Sequence, residues 1–151
     1  MSVARTIIAA GEGARYEYPA DAAVTPGDLI KPTATGCARN ATADAIVPAL
    51  FAIEDEIFGR GINAGSGYSS INNGVDYAIG DRVLSEMCTP GMLVNANLAA
   101  GAAAIVKGDP ITGDGTGKIK KGTAANQIAV ADEAVDNSAG VTMTRIRIMI
   151  V

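Results

Sequence analysis

The chain has 151 residues, 12 basic and 16 acidic, with no histidine, no tryptophan and a formal net charge of -4. The missing histidine excludes Ser-His-Asp and Cys-His hydrolases, HExxH zinc proteases and most catalytic zinc sites, while the acidic balance argues against a nucleic-acid footprint. With 28 alanines and 18 glycines against two Phe and four Tyr, much of the apolar 48% is small side chains that bury little area each, which points to a partner or to copies of the chain itself as much as to an Ala-rich monomer.

The length suits a single domain, a β domain over 21–151, and the mostly small, polar and Gly-interrupted first stretch predicts an N-terminal arm over residues 1–20. No apolar run approaches the ~18 residues of a membrane span, and the first residues are too sparsely apolar for a secretory signal, so synthesis in a cytoplasm is expected. The arm carries Arg5, Arg15, Tyr16 and Tyr18 ahead of Pro19. The tyrosines bring rigid contact area at low entropic cost, which predicts an arm pinned to a partner; the other reading is a tail whose tyrosines close the core.

Val24 to Pro32 reads as a Pro-Gly turn and a short strand ending at Pro32, and Thr33 to Ala45 as a polar loop. Ile46 to Ile53 is the most apolar run and is predicted as a buried strand, with Glu54, Asp55 and Glu56 forming a solvated turn after it. Phe58 to Ile79 holds five glycines and is predicted as a long loop. Phe58, Arg60, Tyr68 and Tyr77 sit in or beside it and are assigned, like Arg5, Arg15, Tyr16 and Tyr18, to partner contact, the other reading being an insertion whose aromatics fold back on the core.

Arg82 to Thr89 and Met92 to Leu98 are predicted to form a hairpin about Pro90-Gly91. Ala99 to Val106 reads as a loop entering a strand. Val106 to Val135 then reads as strand, turn, strand, loop and strand: Gly108-Asp109 opens a turn, Asp114-Gly115 supplies a tight hairpin, and Lys118, Lys120 and Lys121 flank an inward Ile119. Thr142 to Val151 alternates as a closing strand, with Ile146, Ile148 and Ile150 on one face and Arg145 and Arg147 on the other.

The Gly27-Asp28-Leu29 stretch is echoed by Gly108-Asp109-Pro110-Ile111, and Phe51 to Glu56 by Ile128 to Glu133; a third such turn stands at Gly80-Asp81. These echoes suggest an all-β barrel or jelly-roll-like sandwich with two related halves, about 24–57 and 80–151.

No stretch carries chemistry. Gly113 to Lys118 fails as a phosphate loop because its glycine spacing is short, Ile119 replaces the metal-binding Ser/Thr and a strand follows. Asp109 and Asp114 lack the ligand spacing of an EF-hand, and Asp132, Glu133 and Asp136 could hold at most an adventitious cation. Cys37 and Cys88 have no metal-like neighbours. No catalytic residue, cofactor or metal is predicted, and the chain is not expected to be an enzyme.

The order of pieces is nevertheless distinctive: IVPALFAIEDEIFGRGIN, DYAIGDRV, CTPGMLVNANLAAGAAAIVKGDPITGDGTGKIKK, IAVADEAVDNS and RIRIMIV. From about Ile46 to Val151 it resembles the capsid decoration, or cement, proteins of tailed bacteriophages. That resemblance implies a β-rich structural protein on the outside of a mature head, contacting major capsid subunits and assembling as a homo-oligomer, with a trimer favoured. An N-terminal segment, Ser2 through Tyr18, would then add a strand to a capsid sheet edge. A virion-associated β-module that binds a host ligand or glycan is the alternative, although no tryptophan platform is present.

Overall fold

The computed structural model describes residues 7–54 and 76–151. Among them every regular element is a strand: β1 (Ile8–Ala10), β2 (Ala14–Pro19), β3 (Ile30–Pro32), β4 (Cys37–Arg39), β5 (Leu50–Ala52), β6 (Arg82–Met87), β7 (Leu93–Leu98), β8 (Pro110–Gly113), β9 (Ile119–Lys121), β10 (Ala129–Ala131) and β11 (Thr144–Ile150). The protein is all-β and built on a small barrel.

Strands β7, β11, β10, β8 and β9 pair in that order, and the parallel contact Leu98–Ile119 returns β9 to β7 and closes the ring. The terminal strand is central to it. Ile146, Ile148 and Ile150 all point inward and are almost fully buried, as their period-2 spacing requires. Strand β1 lies along the remaining edge of β7, pairing Ile8 with Val94.

The first half of the chain repeats this ring. β2, β6 and β5 form one sheet and β3 with β4 another. The bridges Leu29–Phe51 and Ala20–Cys37 join the two sheets, the second of them parallel like its counterpart Leu98–Ile119. Register matches strand by strand: Leu50, Phe51 and Ala52 face Met87, Glu86 and Ser85, as Ala129, Val130 and Ala131 face Ile150, Met149 and Ile148.

The interiors correspond as well. Ala20, Val24, Ile30, Cys37, Leu50, Ala52, Tyr77 and Val83 line the first barrel. At the same places in the second stand Leu98, Ile105, Ile111, Ile119, Ala129, Ala131, Val135 and Ile146. Small and large residues trade places between the two sets, Ala20 for Leu98 and Tyr77 for Val135, so each interior is filled by a different selection of side chains.

The same turn serves both. Gly27 (φ 96°), Gly80 (φ 86°) and Gly108 (φ 92°) each take the third place of a four-residue turn, the left-handed position that disfavours a Cβ. The aspartate that follows donates its N–H to the carbonyl of the first residue, at 2.9, 3.0 and 3.1 Å. Its carboxylate accepts the N–H of that residue in return, from Thr25, Ala78 and Val106. Gly27 N–H then donates to Ala52 O and Ala52 N–H to Asp28 O, just as Gly108 and Asp109 do with Ala131.

Several sequence expectations change. The repeat pairs Ala52 with Ala131, two residues from the alignment with Ala129 that the sequence echo suggests. Its halves begin at β2 and β7, and β6 belongs to the first. β6 and β7 therefore do not form a hairpin; the Pro90-Gly91 turn carries the chain from one barrel to the other. The buried strand expected over Ile46 to Ile53 shrinks to β5, with Ile46 exposed at 74%, because Pro48 removes a ladder donor. The loop expected over Thr33 to Ala45 contains β4. Residues 8–19 of the expected arm are strands of the chain's own sheets, held by β7 and β6.

Candidate functional site

Two features stand out once local turns and barrel interiors are accounted for: a polar seam between the barrels, and an open strand edge on the first.

The seam is organised by Asp28, whose turn is pressed against the second barrel. Its carboxylate, fully buried, accepts from Thr25 N–H at 3.0 Å, Arg39 Nε at 2.7 Å, Asn97 Nδ2 at 2.9 Å and Lys118 Nζ at 3.2 Å. Asn97 Nδ2 also donates to Pro26 O at 3.1 Å, Arg145 Nη2 donates to the same carbonyl at 3.0 Å, and Asn97 N–H donates to Gly27 O at 3.0 Å. A buried carboxylate is tolerated only when it is paired and hydrogen-bonded, and this one has two cations and two neutral donors. Leu29, Phe51 and Ile53, on the outside of the first barrel, add an apolar contact beside it by joining the core cluster of the second.

The corresponding turn of the second barrel faces outward. Asp109 meets Lys121 at 2.8 Å, and that hydrogen bond, helped by Val106 N–H, lowers its pKa. Asp132 is held low in the same way by Arg147 and Lys107. Local sequence is alike at the two turns; surroundings differ.

The open edge belongs to β2. β6 pairs with one side of it over all six residues. On the other side, among the described residues, only the Ala20–Cys37 bridge at its end is occupied. Tyr16 and Tyr18 share one face, their rings stacked with centroids 5.9 Å apart and planes at 19°. Arg15 and Glu17 share the other face, reaching Glu86 at 3.3 Å and Arg82 at 3.1 Å. A surface cleft of about 420 Å³ lined by Arg15, Tyr16, Glu17, Ile53, Leu84 and Ser85 runs alongside.

No protein-family model and no curated protein matches the chain. The surface itself therefore carries the reading of its role.

Of the residues predicted to touch a partner, the structure gathers Arg15, Tyr16 and Tyr18 on β2. Tyr77 is instead a core residue: it is fully buried, bridges Val24, and donates its hydroxyl to Ile53 O at 2.8 Å. Its glycine-rich surroundings suggested a surface aromatic, but it fills the place that Val135 holds in the second barrel. Arg5, Phe58, Arg60 and Tyr68 lie outside the described residues. Cys37 and Cys88 are free and buried, with thiols pushed up to about 11 and about 12 by burial, and further by Asp21 and Glu86 respectively. The seam residues Asp28, Asn97 and Arg145 have no signature in the sequence beyond an aspartate in a repeated turn and an arginine at the start of an apolar strand.

Proposed function

We propose that the protein is a structural virion component that binds the outside of a phage head and stabilises the mature capsid lattice by bridging major capsid subunits. The observation that carries this reading is the fusion of two equivalent barrels into one block across the Asp28 seam. Two like units held at fixed spacing offer like surfaces side by side, which suits a lattice of repeating subunits: the second contact is intramolecular once the first is made. The order of strands and turns that resembles phage decoration proteins supports the same role. In this reading the protein performs no catalysis, and its partners are the major capsid protein and further copies of itself.

A protein that binds only the expanded lattice shifts the equilibrium toward it by mass action, and many weak contacts sum over the shell. The experiment is imaging of heads with and without the protein. Density at fixed lattice positions that vanishes in its absence supports the reading. Heads that never acquire such density, with binding of the isolated protein to a glycan array instead, would replace it with a ligand-binding module.

A further inference from the structure

The two barrels differ at one edge. In the second, β1 lies along β7: Ile8 pairs with Val94, which is fully buried in the core, and Asn95 N–H donates to Ile7 O at 2.7 Å. In the first, Tyr16 occupies the place of Val94, as the matched pairings Tyr16–Ser85 and Val94–Ile148 show. Tyr16 is 42% exposed, and among the described residues no strand lies along this stretch of β2.

The groups of β2 without a strand partner among the described residues are those of Arg15 and Glu17. Ala20 N–H donates to Asp81 O, and Tyr16 O accepts from Ser85 Oγ, so the even-numbered residues of β2 turn their backbone toward β6. The alternation of an antiparallel ladder then aims the N–H and C=O of Arg15 and Glu17 outward. Pro19, without an N–H, ends the row.

The geometry points to a second copy of this chain as the occupant, its own β2 laid antiparallel across a two-fold axis at Tyr16. In that register Arg15 faces Glu17 of the other copy and Glu17 faces its Arg15. Both belong to the outward set, so they exchange four main-chain hydrogen bonds. Each facing pair is also opposite in charge. The neighbouring two-fold registers, centred on Arg15 or on Glu17, would set like charges directly opposite and are disfavoured. Tyr16 meets its own mate as a non-hydrogen-bonded pair, the closer kind, which extends the Tyr16–Tyr18 stack across the axis. No register of β2 with itself is as complementary. The inference concerns the isolated protein and does not rest on head binding.

Sedimentation of the full chain over a concentration series tests it. A reversible dimer is expected. Glu17→Arg, which places arginine opposite Arg15, is expected to weaken that dimer by at least about tenfold. Arg82→Gln removes the same intrachain ion pair of Glu17 and should leave the dimer constant unchanged. Tyr16→Cys should cross-link two copies rapidly under mild oxidation, whereas Tyr18→Cys, opposite Ala14 of the other copy, should not. A monomer at every concentration, a trimer, a dimer indifferent to Glu17→Arg, or equal cross-linking at residues 16 and 18 would each overturn the inference.

Discussion

Asn97 of the second barrel donates its side-chain amide to Asp28 of the first at 2.9 Å, and through that contact a turn of one barrel becomes part of the other. Replacing Asp28 by Asn leaves Arg39 and Lys118 facing a neutral group in a buried site. The expected loss is about 3–5 kcal/mol of stability, measured by urea unfolding. Asp109→Asn, in the matching turn of the second barrel, should cost clearly less in the same measurement, because its partner Lys121 is partly exposed. Equal losses at the two positions would show that the seam contributes nothing beyond the turn.

Both thiols are raised by burial, which gives stability a defined alkaline limit. In the unfolded chain each ionises near its ordinary value of 9.0, whereas in the folded protein Cys37 and Cys88 hold their protons to about 11 and about 12. The unfolded state therefore releases protons first. The stabilisation is complete below pH 9.0 and is lost as pH rises toward 11. Melting temperatures recorded across that window should fall, and Cys37→Ala with Cys88→Ala should flatten the decline. At neutral pH neither thiol should react with a thiol reagent until the protein is unfolded.

Gly36 lies where the first barrel closes. A Cβ there would come within 1.9 Å of Pro19 O, beside the Ala20–Cys37 bridge. Gly36→Ala should destabilise by about 3 kcal/mol or more, since the obstacle is main chain rather than a movable side chain. Gly80→Ala meets no atom within 4 Å and carries only the cost of its positive φ, about 1 kcal/mol. Thermal denaturation of the two variants separates close approach from backbone conformation.

Tyr77 supplies both volume and a hydrogen bond to the first barrel. Tyr77→Phe keeps the ring and loses the bond to Ile53 O, for an expected cost of about 1 kcal/mol. Tyr77→Ala empties the site and should cost about 3–5 kcal/mol. If Tyr77→Ala were neutral in calorimetry, the residue would not be packing the barrel.

Much of the β-scaffold was legible in the chain because its signals are local. Gly27, Gly80 and Gly108 announce turns through the one residue type that accepts their φ, and the aspartate after each satisfies the turn within four residues. Ile146, Ile148 and Ile150 announce a strand with one buried face by spacing alone. β4 carries no such signal because Cys37-Ala38-Arg39 is too short and too weakly apolar to stand out from its loop. The burial of Tyr77 has no local signal for a related reason: it goes with the pairing to Val24, which no neighbouring residue reveals.

What the sequence by itself determined is therefore the set of turns, the alternation of the strands and the existence of a repeat. Only the tertiary structure decided which strands share a barrel, where the repeat begins, and that Asp28 lies in a buried ionic seam while Asp109, in the matching turn, is half-buried beside Lys121 outside that seam. It also decided that β1 pairs with β7 beside Val94, while among the described residues no strand lies along β2 beside Tyr16. Turn geometry is fixed by interactions spanning four residues, whereas burial and strand pairing depend on segments brought together from far along the chain, so similar local turns acquire different surroundings and different roles.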